Sequence, residues 1–201
     1  MTSRDDQRAA TYRRIVDVAV ESLIEEGFAA TTTVEVQRRA GLSRGALLHH
    51  FPTREQLFTA AVHRLVQVNL EAMWAELAAA PAGADPVTRG MWVLRRASRR
   101  PSFGAELELW GAARTDHRLR EALRAAERGA RKELYAVIDG VFGPEIVAAP
   151  SYPLVVELTV QLMRGLTISA ALHERVKEDE PLIDRWAQVV RSVLAAASPP
   201  S

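Results

Sequence analysis

From Tyr12 the apolar positions run Tyr12, Ile15, Val16, Ala19, Val20, Leu23 and Ile24, the i, i+3, i+4 stripe of an amphipathic helix. Gly27 ends that helix as a C-cap. Thr32-Thr33-Val34-Glu35 then reads as a capping box, in which the Thr32 hydroxyl and the Glu35 carboxylate can each satisfy an orphan backbone N–H. The helix it opens is brief, because Gly41 stops it after Arg39 and Ala40, and Ser43 offers the N-cap of a second short helix from Arg44 to about Phe51. Pro52 cannot continue a hydrogen-bonded helix, and Thr53-Arg54-Glu55-Gln56 supplies another capping box, so a longer helix is expected from near Arg54 to about Ala80. The stretch from Pro81 to Pro86 is the clearest linker, and Asp85 followed by Pro86 launches a helix through about Arg99. After a break at Pro101-Ser102, helices are expected at Ser102 to Arg114, Asp116 to about Val141, Pro153 to about Glu174 and Pro181 to Ala197. Their separators are Thr115-Asp116, Gly143-Pro144 with Pro150 to Pro153, and Lys177 to Pro181, and the tail from Ser198 to Ser201 is expected to be loose. About nine helices and no sustained period-2 pattern predict an all-α fold.

The 201 residues suffice for a core without covalent staples. Cysteine is absent, which excludes a disulfide scaffold, thiolate catalysis and Cys-ligated zinc and fits a reducing, cytoplasmic setting. No uninterrupted apolar run approaches the roughly 18 residues of a membrane span, and the polar start from Met1 to Asp6 lacks the pattern of a signal peptide. No membrane partner is therefore expected.

A net charge of +1 announces no nucleic-acid partner, so the position of the charges decides. Between Gln37 and Arg54 stand Arg38, Arg39, Arg44 and Arg54 with no Asp or Glu, and with His49 and His50 beside them. The acids of this half lie at Asp17, Glu21, Glu25, Glu26 and Glu35. Two helices of about eight residues around a tight turn at Gly41 make a helix-turn-helix, and a basic face on a short helix suits phosphate contacts. Val36, Ala40, Leu42, Leu47 and Phe51 form the inward set, leaving Arg44, Ala46, Leu48, His49 and His50 on outer or flanking faces, while Gly45 permits close approach of the backbone to DNA. Elsewhere Arg95-Arg96 and Arg99-Arg100 read as a solvated face, and His63, His117 and His173 as ordinary histidines. Glu106 and Glu108, two apart on one helix, do not converge as an acid and base pair. No motif for a nucleophile, a metal, a phosphate-cradling loop or a cofactor is present, so neither enzymatic activity nor a cofactor is expected.

Gly27-Phe28, Thr32-Thr33-Val34-Glu35-Val36 and the unbroken run from Arg39-Ala40-Gly41-Leu42-Ser43-Arg44-Gly45-Ala46-Leu47-Leu48-His49-His50-Phe51-Pro52-Thr53-Arg54 to Leu57 resemble the TetR family of bacterial transcriptional repressors. The resemblance covers about 50 residues in order, and the family's architecture is also about nine helices. It implies a DNA-binding domain over 1–54 and a larger helical ligand-binding and dimerisation domain over 55–201. Carried over position by position, it implies that Ser43 caps the recognition helix and that Arg44, Leu48, His49 and His50 contact bases or phosphates. Arg54 matches a phosphate-holding position, and Thr32 and Thr33 match a cap region that grips the DNA backbone. Where Ala46 stands the family usually has a small hydroxyl residue, and where Leu48 stands, tyrosine; Leu48 can instead pack on a thymine methyl.

The resemblance further implies a small-molecule cavity, for which Met91, Trp92, Phe103, Trp110 and Met163 are candidate apolar linings, with Arg95, Arg114 or Arg164 for an anionic group. It implies a homodimer through the helices at 153–174 and 181–197. The expected function is a ligand-responsive repressor that binds a palindromic double-stranded operator as a dimer and is released by a small-molecule effector. The alternative is an all-α carrier or enzyme whose basic N-terminal segment is incidental.

Overall fold

The computed structural model describes residues 4–81, 83–172 and 180–196, and among these residues there are ten helices and no strand. The helices are α1 (Arg4–Ala30), α2 (Thr33–Arg39), α3 (Arg44–His50), α4 (Arg54–Ala78), α5 (Pro86–Ser98), α6 (Pro101–Ala112), α7 (His117–Phe142), α8 (Pro144–Val147), α9 (Tyr152–Ala170) and α10 (Glu180–Ala196). None is long and apolar enough to cross a membrane. The expected end near Glu174, His173, the separator from Lys177 to 179 and the tail from Ser198 lie outside the described residues, as do Ala82 and Ala197.

The all-α expectation holds, and the differences lie at the edges of elements. Helix α1 begins at Arg4, two turns before Tyr12. Its first seven residues are all exposed and so display no apolar stripe, but Asp5 and Asp6 in the first turn suit the positive end of the helix dipole. Helix α8 is a single turn inside the stretch read as a separator; four residues are too few to show a period. Helix α6 takes Pro101 as its first residue, a position where the missing N–H costs nothing. Asp85 caps α5 as expected, accepting from the Val87 and Thr88 amides at 3.2 and 3.0 Å.

Two compact units are built from these helices. One consists of the chain up to Val68 together with Gly104–Ala130, the other of Asn69–Phe103 together with the chain from Arg131 onward. In the first, Ile15, Ala19 and Leu23 of α1, Val36 of α2, Leu47 of α3 and Leu57, Val62 and Leu65 of α4 are buried. In the second, Val87, Met91 and Leu94 of α5, Val137, Ile138 and Phe142 of α7, Val155, Val156 and Met163 of α9 and Ile183 and Val190 of α10 form one core. Each such burial contributes about 1.5–3 kcal/mol. Gly90 is required there, since a Cβ on it would lie 2.4 Å from the Phe142 ring.

The arginine pairs read as a solvated face are in part committed. Arg96 and Arg100 flank the buried carboxylate of Glu76 at 2.6 and 2.7 Å, and Arg96 also sits 4.8 Å over the Trp92 ring. Arg96 first, then Arg100, holds the Glu76 carboxyl below the usual range despite its burial.

Candidate nucleic-acid interface

The turn between α2 and α3 is closed by local chemistry. Thr32 caps α2, its hydroxyl accepting the Glu35 amide at 3.2 Å. At the other end Gly41 has φ +63, its N–H donates to the Arg38 carbonyl, and the Leu42 N–H donates to that of Gln37, both at 3.2 Å. This pair of bonds is a Schellman closure, and it needs a residue free to take positive φ. Ser43 then caps α3 by accepting the Ala46 amide at 3.2 Å, and Thr53 caps α4 by accepting that of Gln56 at 3.2 Å. Each cap stabilises by about 1 kcal/mol.

The reciprocal half of the expected capping box at Thr32 is replaced. The Glu35 carboxylate takes the guanidiniums of Arg38 and Arg39, and Arg39 also reaches Glu25 and Glu26 of α1, each at 2.6 Å. Arg39 thus fastens α2 onto α1. The bonds from Arg38 and then Arg39 lower the Glu35 carboxyl to about 2, and the same acids raise both guanidiniums. The run of four arginines is therefore not four outward charges. Arg44 and Arg54 have no ion pair among the described residues; Arg54 lies 4.9 Å over the Phe58 ring.

Helix α3 divides as its sequence predicts. Leu47 is 3% exposed, and Val36, Ala40 and Phe51 are buried with it, while Leu42 is half-buried. Tyr12 stacks on Phe51 at 4.9 Å. Outward stand Ser43, Arg44, Gly45, His49 and Leu48, the last 45% exposed, with Ala46 and His50 half-buried at the margin. Thr32 is exposed, Thr33 half-buried and Arg54 exposed. A Cβ on Gly45 would meet nothing within 4 Å, so the fold itself has no steric need of glycine there.

Arg8 is a residue the sequence reading passed over. With Tyr12, Arg13, His49, His50, His63 and Arg64 it lines an open groove of about 1110 Å³. Burial, then His49, then Arg8 push the His50 imidazole below its ordinary value, favouring its neutral form. Once α1 extends back to Arg4, Arg8 stands four residues before Tyr12, hence on the same face of one helix.

Residues 15–61 match the family described as bacterial regulatory proteins, tetR family. An uncharacterized HTH-type transcriptional regulator, Mb2936c of Mycobacterium bovis, is 25% identical over 166 residues, 83% of this chain and 85% of that protein. The HTH-type transcriptional repressor Rv1474c of Mycobacterium tuberculosis is 30% identical over 132 residues, 60% of this chain and 71% of the relative. This chain belongs to the TetR family. The crystal structure of the multidrug binding protein EbrR complexed with ethidium shares its fold, with a TM-score of 0.60 at 21% identity over 94% of this chain and 99% of that one. As a TetR-family protein the chain is a transcriptional regulator with a helix-turn-helix.

The residues expected at a TetR-type effector cavity fall in both units. In the second unit Met91 and Met163 lie in the core, Trp92 packs against that core, and Arg95, Phe103 and Arg164 are half-buried. In the first unit Trp110 and Arg114 line a cavity of about 240 Å³ with Arg120, Leu123 and Arg124.

Proposed function

We propose that the chain is a cytoplasmic, effector-responsive repressor that binds a palindromic duplex as a homodimer and lets go when a small molecule occupies its helical C-terminal part. The observation that carries the DNA-binding half is the face of α3, where Arg44, Leu48 and His49 stand exposed between two capped helix starts and Arg44 and Arg54 have no acid partner among the described residues. Arg44, Arg54, Thr32 and Thr33 hold phosphates, Ser43 and Gly45 let the backbone come close, and Leu48, with Ala46, His49 and His50, meets base edges. Arg8 extends this basic margin along α1.

A second copy is supported by the exposed apolar side chains Leu154, Leu158, Ile168 and Leu172, which recur at helical spacing along α9 and just past its end, and by Leu182 and Val189 on α10. A stripe of this kind is characteristic of a contact surface, and a two-fold dimer presents two recognition helices to two half-sites. Repression is supported by the function named for the Mycobacterium tuberculosis relative. A small-molecule effector is supported by the ethidium complex of EbrR, with Met91, Trp92, Arg95, Phe103, Met163 and Arg164 or Trp110 and Arg114 as the residues to meet it.

Fluorescence anisotropy with the DNA flanking the protein's own gene, at several salt concentrations, tests the reading. Tight, salt-sensitive binding that resists competitor DNA is expected, and binding no tighter than to random duplex, with no site recovered from a random library, would overturn it.

A further inference from the structure

The open groove between α1 and α4 holds cationic and titratable chemistry that the reading of bases does not use. His49 and His50 at the end of α3 belong to its lining, so it adjoins the reading face and runs from there along both longer helices. Two acids stand on its walls, and both are committed. Asp17 of α1 holds Arg64 of α4 at 3.1 Å, and Glu55 of α4 holds Arg118 at 2.7 Å. Arg8 and Arg13 of α1 are exposed in the same lining and have no acid partner among the described residues.

Three imidazoles face the same space. The rings of His49 and His50 meet edge-on at 5.5 Å, and His63 stands on α4. A neutral imidazole offers an anion one N–H, and a protonated one offers two together with a positive charge. Burial first, then His49 and Arg8, weaken the hold of His50 on its proton, and an anion seated beside these groups would reverse the last two effects. A concave wall whose uncompensated charge has one sign concentrates the opposite sign within it. The volume of about 1110 Å³ exceeds what a lone phosphate fills, which suits a run of phosphates or a phosphate joined to a larger body.

We propose that this groove is a phosphate-binding site, formed by Arg8 and Arg13 with the imidazoles of His49, His50 and His63, and that its hold tightens as those imidazoles take up protons. Two sources carry that chemistry, the sugar-phosphate backbone beside a DNA half-site and a free phosphorylated metabolite. Only the first of them rests on the DNA-binding reading above.

The test begins with the full-length protein without DNA. Sulfate is the probe, because it shares the shape and charge of phosphate and does not titrate near neutral pH. At constant ionic strength, the imidazole NMR signals of His49, His50 and His63 are expected to shift saturably with sulfate while that of His117 stays in place. Binding is expected to be about tenfold tighter at pH 6 than at pH 8, and about tenfold weaker in the double variant Arg8→Ala, Arg13→Ala. Should that variant fail to fold, Arg8→Gln and Arg13→Gln replace it singly, with about threefold expected for each. Sulfate that moves none of the three signals, or moves them equally in the arginine variants, would overturn the site. Equal binding at the two pH values would overturn the role of protons.

A second arm assigns the source. A duplex selected from a random library by wild type is trimmed to its two half-sites and then lengthened by about five base pairs at each end. A gain in affinity of about threefold or more, absent in the arginine variants, identifies the DNA backbone. No gain, with sulfate still bound, identifies a free phosphorylated compound. A wild type that selects no duplex would overturn the DNA-binding reading, and the sulfate titration would still decide the site.

Discussion

Helices α2 and α3 are each seven residues long, each opened by a hydroxyl cap and each ending in cationic or titratable residues, yet they use them in opposite ways. Helix α2 carries Glu35 three and four residues before Arg38 and Arg39, and those arginines turn back onto it and onto Glu25 and Glu26. Helix α3 has no acid in its first turn, and its Arg44 stays outward. A basic stretch of sequence is therefore not yet a basic surface. The nearest acid at helical spacing decides whether an arginine fastens the fold or faces a partner.

The contrast breaks most severely at the one position of α3 that is buried. Leu47→Ala should destabilise the protein by about 2–5 kcal/mol, seen as a lower midpoint in urea, because a fully packed side chain is lost from the core. On the outer face the expected effect moves from folding to binding. Arg44→Ala should weaken DNA binding by about tenfold on specific and random duplexes alike and reduce the slope of log affinity against log salt by about one, with an unchanged melting temperature. Arg38→Ala should do the reverse, leaving the salt slope as it is and lowering the melting temperature slightly. An equal change in slope for both arginines would erase the distinction between the helices.

Smaller effects sharpen it. Thr32→Ala and Ser43→Ala should each cost about 1 kcal/mol of stability in denaturant melts, since both remove a cap of the same kind. Both should also weaken DNA binding by more than their effect on folding, since Thr32 is proposed to hold a phosphate and Ser43 to bring the backbone close. The smallest effect is that of pH. Glu35 is lowered to about 2 from the ordinary 4.5, so its pairing stabilises the fold fully above pH 4.5 and ceases to do so as pH falls through about 2. Urea midpoints of wild type should drop more steeply over that interval than those of Glu35→Gln, whereas no acid-dependent difference of this kind is expected for substitutions in α3.

What could be read from the sequence was whatever depends on near neighbours. The caps at Thr32, Ser43, Thr53 and Asp85, the stop at Gly41 and the inward set around Leu47 follow from residues within four or five positions of each other, and the structure has them in place. The first turns of α1 were silent because they bury nothing, and α8 because it is too short to repeat. The fastening by Arg39 was half legible, since Glu35 lies at helical spacing but Glu25 and Glu26 come near only when α1 and α2 pack together. The buried Glu76 and the grip of Glu108 on Phe28 join residues 20 and 80 positions apart, and no local pattern marks them. Arg8 was within reach of helical spacing once α1 is known to extend back to Arg4.

The open space around Gly45 has a consequence for how such a protein can change over generations. Arg44, Gly45, Leu48 and His49 support no core and close no turn, whereas Leu47 and Ser43, interleaved with them, do both. On the proposed reading, address and scaffold are written on neighbouring residues but in separate letters. A lineage could exchange one set and inherit the other, acquiring a new target in the genome without passing through an unfolded ancestor.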